Sequence, residues 1–283
     1  EHTWKDAMTT FQSMKRTSLR RNNVIYNTLY NILGTAGQWE LCLEVFASME
    51  RDGVRPNLYH YVTVLSALAK QGQWSKAMEL VGSMEKRGIK AEGRVYSTLI
   101  RAVTRARDVP QQALNIVQDF EAKGVTPNPV TFVELIRMFG TYGMWEKALI
   151  YLDKFESTPS PPDYQFLHNI NTQAYNAAIK ACFDAKQYDK AISLYKRMGE
   201  GVVECNQYTY ETMIIGLSSA KEWEMAVEVL EEARNDGQKP TESMYINVVN
   251  VLESAGKDKL ATKYYEQSVS QSIAKSPDGL KGI

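Results

Sequence analysis

Arg94, Arg101, Arg105 and Arg107 fall in one predicted helix with no acid between them, the strongest electropositive signal in the chain. Guanidinium groups collected in this way neutralise phosphates, so the chemistry they offer is capture of a polyanion rather than the making of bonds. The plainer alternative is a solvated helix face. Little else in the chain is reactive. Cys42, Cys182 and Cys205 are odd in number, stand at unrelated spacings and form no CxxC, with His2, His60 and His168 as the only histidines. Neither a disulfide framework nor a zinc site is expected, and a reducing compartment fits best. Cys42 is expected to be a small buried thiol. With no catalytic constellation and no metal-binding cluster of acids, the chain is expected to be no enzyme and to need neither cofactor nor metal. Lys plus Arg and Asp plus Glu both number 33, for a net charge of zero. That balance does not demand nucleic acid as a strongly basic domain would, but a groove can be basic while the outer face is acidic. No apolar run approaches the roughly 20 residues needed to cross a bilayer, so no membrane insertion is expected.

The elements that must carry these residues recur along the chain. Trp4, Trp39 and Trp74 are 35 apart, Trp145 follows after 71 and Trp223 after 78, so all five tryptophans share one phase of a period near 35. A fixed period of this size means stacked supersecondary units rather than one globular core. Residues 1–22 read as the second half of a repeat, and the chain begins within that repeat. Repeats one to four occupy residues 23–163, an insertion 164–171, repeats five to seven residues 172–270, and a tail 271–283. Each unit reads as two helices. Tyr61, Leu65, Leu68 and Ala69 follow helical spacing, as do Ala77, Leu80, Val81 and Met84 after Gly72. Glycine after each helix fits a left-handed end, and the in-phase alanines let helix backbones cross closely. The third repeat is one residue longer, with the extra residue expected in its turn around Asp108, Val109 and Pro110. The expected fold is therefore all-α: a solenoid of six to seven stacked helix-turn-helix repeats, with every tryptophan buried between helices.

Stretches such as Val24 to Leu29 and Ala47 to Asn57, which closes Gly-Val-Arg-Pro-Asn, closely resemble the pentatricopeptide repeat, and the resemblance covers residues 1 to about 270. The tetratricopeptide repeat is the nearest competitor, but its tryptophan belongs early in the first helix, whereas here it opens the second. The resemblance implies single-stranded RNA binding in a mitochondrion or chloroplast, in RNA metabolism or translation. In such proteins each repeat reads one base through a polar residue early in its first helix and the last residue of the repeat. Carried onto this chain, the base-reading pairs are Asn27 with Asn57, Ser97 with Asn128, and Asn176 with Asn206. The two Asn-Asn pairs look like pyrimidine readers and Ser97 with Asn128 like an adenine reader. The pairs Val62 with Glu92, Val133 with Asp163 and Glu211 with Thr241 depart from the pattern: the valines cannot bond a base edge, and Glu211 puts an anion where phosphates would pass. The deaminase that some members of the family append needs His-x-Glu and Cys-x-x-Cys, and neither occurs.

Residues four and eight beyond each reading position share its helix stripe, which with Arg94 makes Lys70, Arg94, Arg101, Arg105, Arg137 and Lys180 the expected phosphate contacts. The stripe is basic in the middle of the chain and loses its basic residues towards the C-terminus. The alternative reading is a structural scaffold subunit of a large organellar complex, such as a ribosome, holding mainly protein. In the insertion, Tyr164, Phe166 and Leu167 are an apolar load odd for a free loop. They are expected either to fold back on the fourth repeat or to contact a partner protein.

Overall fold

The computed structural model describes residues 3–16, 19–106, 109–158, 167–200 and 203–273. Among them the chain forms α-helices joined by short turns. A half-repeat, α1 (Thr3–Arg16), precedes α2 (Asn23–Thr35) with α3 (Trp39–Arg51), α4 (Leu58–Lys70) with α5 (Trp74–Lys86), and α6 (Gly93–Ala106) with α7 (Pro110–Ala122). Then come α8 (Pro129–Thr141), α9 (Trp145–Ser157), α10 (Leu167–Asp184), α11 (Tyr188–Glu200), α12 (Gln207–Ala220), α13 (Trp223–Asn235), α14 (Glu242–Ser254) and α15 (Asp258–Ile273). The expected stack of helix pairs is what the chain builds.

The helices fall into two compact units, Glu1–Tyr142 and Gly143–Ile283. In the first unit the leading helices α2, α4, α6 and α8 pack side by side, while α3 and α5 each lie against their own leading helix and the next one. In the second, α10, α12 and α14 pack side by side, with α11 and α13 placed in the same way. In each unit the leading helices thus form a layer, and one residue position recurs along it. The apolar stripe drives this packing: Tyr61, Val64, Leu65 and Leu68 of α4 are all fully buried, the i, i+3, i+4, i+7 pattern of a helix covered on one side. Ala77, Ala113, Ala148, Ala191, Ala226 and Ala261 are buried at the small-residue phase, and Cys42 is buried there too. Burial pushes the Cys42 thiol up to about 12 and the Cys182 thiol up to about 11, so neither supplies a thiolate at neutral pH.

One rule governs the turns after α4, α10 and α12. After α4, Gly72 takes φ +65°, the Gly72 N–H donates to the Ala69 carbonyl and the Gln73 N–H to the Leu68 carbonyl, a Schellman end that a side chain resists. Lys186 and Lys221 occupy the same place in the fifth and sixth repeats, at φ 58° and 64°, with the same paired bonds to Phe183 and Cys182 and to Ser218 and Leu217. A residue with a Cβ costs energy there, so Lys221→Gly is expected to stabilise the protein by about 1 kcal/mol in chemical denaturation. An unchanged or lower midpoint would show that the lysine side chain holds the turn.

Two expectations are corrected. None of the five tryptophans is buried; each is half-buried. Trp39, Trp74, Trp145 and Trp223 open their helices at the first helical position, and side chains lean towards the N-terminus of a helix, so these rings lie over the turn at the edge of the packed layer. Lys257 Nζ stands 4.8 Å from the Trp223 ring centre. The insertion also differs from a segment lying outside the repeat grid, because residues 167–171 continue as the first turns of α10. Pro159, Pro161, Pro162, Tyr164 and Phe166 lie outside the described residues, as do the side chain of Leu167, Arg107, Asp108 and residues 274–283. α9 does end at Ser157, ahead of the prolines, as helix-breaking residues require.

A ladder of tyrosine-to-acid bonds ties helices together, and no sequence signal marked it. Tyr26 donates to Asp52 at 2.6 Å, Tyr96 to Asp119 at 2.9 Å and Tyr264 to Glu231 at 3.0 Å, and Tyr210 donates to Asp236. Burial, and then the neighbouring carboxylate, push Tyr96 and Tyr264 up to about 12, so these hydroxyls stay protonated donors.

Candidate nucleic-acid interface

The last residue of a repeat turns out to be the N-cap of the next leading helix. Asn57, Asn128, Asn206 and Thr241 cap α4, α8, α12 and α14. Asn57 Oδ1 accepts the His60 N–H at 3.2 Å, Asn128 Oδ1 the Thr131 N–H at 2.8 Å and hydroxyl at 2.9 Å, and Asn206 Oδ1 the Thr209 N–H and hydroxyl, both at 3.0 Å. Of the two side-chain atoms of an amide only the oxygen can accept a backbone N–H, so the cap itself settles which way each amide faces. The oxygen is committed to the helix and Nδ2 is left as a pure donor. His60 closes the box from the other side, its Nδ1 accepting the Asn57 N–H at 3.1 Å. Burial lowers the His60 pKa against a weaker opposing pull from the Asn23 carbonyl, which keeps the imidazole neutral as an acceptor must be.

The partners early in the leading helices have the opposite character. Asn27 Oδ1 and Asn176 Oδ1 are both buried without a hydrogen-bond partner. Asn176 Nδ2 faces Asn206 Oδ1 at 3.4 Å, so its oxygen is the atom turned elsewhere. The structure therefore joins Asn176 to Asn206 directly, whereas no hydrogen bond links Asn27 to Asn57 or Ser97 to Asn128. Ser97 is buried and donates to the Arg94 carbonyl at 3.0 Å, which satisfies it within its own helix.

The basic residues lie on the leading helices as the stripe predicts, but they are not free cations. Glu134 of α8, only 8% exposed, receives Arg101 Nε at 3.3 Å and Arg137 Nη1 at 3.5 Å. Arg105 donates to the Lys70 carbonyl at the end of α4 at 2.5 Å, and Lys180 pairs with Asp184 at 3.2 Å. The lack of an acid between the arginines in sequence was therefore misleading, because the acid comes from the next leading helix. Lys70, Arg94 and Arg137 remain exposed. A cavity of about 540 Å³ in the first unit is lined by Asn31, Asn57, Tyr59, Ser66, Lys70 and Arg94, so a capping amide, an exposed aromatic and two cations share one groove. Val24 and Tyr59, the second residues of α2 and α4, are 68% and 53% exposed. Among the described residues no group of His, Cys, Asp or Glu could hold a metal ion, and no helix is long and apolar enough to cross a membrane.

Comparison with known proteins agrees with this geometry. The family model described as the pentacotripeptide-repeat region of PRORP matches residues 2–162, and models of the PPR repeat match residues 170–219 and 208–238. A chloroplastic pentatricopeptide repeat-containing protein of Arabidopsis thaliana is 25% identical over 123 residues, 44% of this chain and 24% of that protein. A second from the same plant is 21% identical over 158 residues, 56% of this chain and 20% of that protein. The chain thus spans about a quarter or less of the length of these relatives. Among solved structures, nuclear protein-only RNase P 2 of Arabidopsis thaliana aligns with a TM-score of 0.54 at 12% identity, over 68% of this chain and 41% of that one, a likeness of fold alone. The pentatricopeptide repeat protein PPR10, solved with an 18-nt psaJ RNA element, aligns with a TM-score of 0.47 at 24% identity, over 87% of this chain and 43% of that one.

Proposed function

The chain belongs to the pentatricopeptide-repeat family, and from that footing we propose that it is an organellar single-stranded RNA-binding protein acting in RNA metabolism or translation. The observation that carries this reading is the polarity of the Asn27–Asn57 and Asn176–Asn206 pairs. In each pair the first asparagine has an unpartnered carbonyl oxygen and the second is an amide whose capping duty leaves it only donors, and Asn176 and Asn206 face each other at 3.4 Å. Cytosine and adenine present the complementary order on their Watson–Crick edge, an amino donor beside an unprotonated ring nitrogen, while uracil and guanine reverse it. Among pyrimidines these pairs therefore favour cytosine. Val24 and Tyr59 offer exposed faces on which a base stacks regardless of its identity, and Lys70, Arg94 and Arg137 offer charge to the backbone.

In the Ser97–Asn128 pair the serine hydroxyl gives its proton to the Arg94 carbonyl and keeps its oxygen only as an acceptor, to go with the donor amide of Asn128. Localisation to a chloroplast or mitochondrion rests on the family and on the chloroplastic relative.

The test is a salt titration of fluorescein-labelled oligocytidylate binding. Wild-type affinity is expected to fall steeply with salt, and Lys70→Ala, Arg94→Ala and Arg137→Ala are each expected to reduce the log–log slope by about 0.7. An affinity indifferent to salt, or slopes unmoved by all three changes, would favour the scaffold reading.

A further inference from the structure

The leading helices of the second unit carry a different chemistry. Between α10 and α12 lies a cavity of about 190 Å³ lined by Phe183, Asp184, Tyr208, Glu211 and Ile215. Lys180 also borders it, but it pairs with Asp184 at 3.2 Å, and that ion pair closes on itself. Glu211 carries no ion pair among the described residues; its hydrogen-bond partner there is the Thr241 hydroxyl at 3.4 Å. The net charge facing the cavity is therefore a single anion. Its walls are aromatic. Phe183 lies so tightly over Gly216 that a Cβ on that residue would stand 2.4 Å from the ring, so the glycine is what lets the ring lie along the wall. Tyr208 and Ile215 are 53% and 43% exposed at the rim.

We propose that this cavity is a docking site for an arginine side chain of a partner protein. A lone carboxylate flanked by aromatic faces suits a planar cation: guanidinium bonds a carboxylate with two parallel N–H groups and stacks on a ring at the same time. The volume admits one long side chain, and the apolar rim has surface for the aliphatic neighbours of that arginine. A phosphodiester would meet Glu211 with repulsion, which sets this site apart from the grooves of the first unit.

The test titrates the whole chain calorimetrically with acetyl-Leu-Arg-Leu-amide and with acetyl-Leu-Glu-Leu-amide, in parallel with fluorescein-labelled oligocytidylate. The arginine peptide is expected to bind and the glutamate peptide not to. Glu211→Gln and Tyr208→Ala, both at partly exposed positions that leave the fold intact, are each expected to weaken the arginine peptide about ten-fold. Glu211→Gln is expected to leave oligocytidylate binding equal or tighter. Equal binding of the two peptides, or an arginine peptide indifferent to Glu211→Gln, would overturn the proposal. So would a parallel loss of oligocytidylate, which would put Glu211 on the nucleic-acid path. Glu211-dependent peptide binding by a chain that takes up no oligocytidylate would sustain this site while refuting RNA binding.

Discussion

Leu68→Ala is expected to destabilise the first unit by about 3–4 kcal/mol and to lower its melting temperature by roughly 10 °C, whereas Trp74→Ala costs about 1–2 kcal/mol. Leu68 is fully buried on α4, a helix that packs against α2, α3, α5 and α6, so its neighbours would have to close on the space left by the lost methyl groups. They close only in part, because helices tied at their caps and turns move as rigid pieces. The Leu68 carbonyl also receives the Gln73 N–H that ends the helix, so the backbone at the site is held. Trp74 is the larger residue and by rarity the more conspicuous one, but it is half-buried at the first position of α5. Part of it already faces water, so it has less transfer energy to lose than its size suggests. Differential scanning calorimetry of the two variants decides the matter. Equal shifts would return the tryptophans to the core, and a larger shift for Trp74→Ala would reverse the order of burial described above.

Asn57→Asp is expected to turn the base preference of the first reading pair without loss of fold. Aspartate caps a helix as well as asparagine does, and its charge at the N-terminus of α4 is favourable to the helix dipole. The His60 N–H therefore keeps its acceptor. What changes is the atom left facing outward: an amide donor becomes a carboxylate oxygen that can only accept. A base carrying a ring N–H, such as uracil, is then matched and cytosine is not, provided that Asn27, whose oxygen has no partner, turns its amide to present the nitrogen. A good bidentate pair discriminates by about 1–3 kcal/mol, so preference at that position moves by roughly ten- to a hundred-fold. Competition between oligocytidylate and oligouridylate measures it, with Asn206→Asp as the second capping site, where Asn176 Nδ2 faces the capping oxygen directly. Retained cytosine preference in both variants would show that the capping asparagines do not read bases. A collapse of helix content would instead mean that the cap needs the amide.

The period, the helix pairs and their turns were legible in the chain because each depends on residues a few positions apart. Apolar spacing selects a helix face, glycine takes the left-handed end at Gly72, and proline stops α9 at Ser157. Even here local signs ran short, since Lys186 and Lys221 adopt the glycine conformation under the pull of the two bonds that close the turn. The choice of Asn27, Asn57, Asn176 and Asn206 as candidate readers came from the repeat phase. That Asn57 and Asn206 spend their oxygens as caps, while Asn27 and Asn176 keep an unpartnered one, belongs to the folded backbone.

What only the tertiary structure decided concerns partners about one repeat away. Glu134 reaches back to Arg101 across 33 residues, Arg105 to the Lys70 carbonyl across 35, and Phe183 lies against Gly216 across the same kind of gap. Sequence by itself determined the two-helix unit and its repetition, because hydrogen bonds and side-chain spacing within a helix or turn are short-ranged. The stacking of leading helices within each unit then set which charges are neutralised, which rings stay exposed and which side chains line each cavity. Those properties belong to side chains brought together by packing, and one repeat read alone contains only half of each pair.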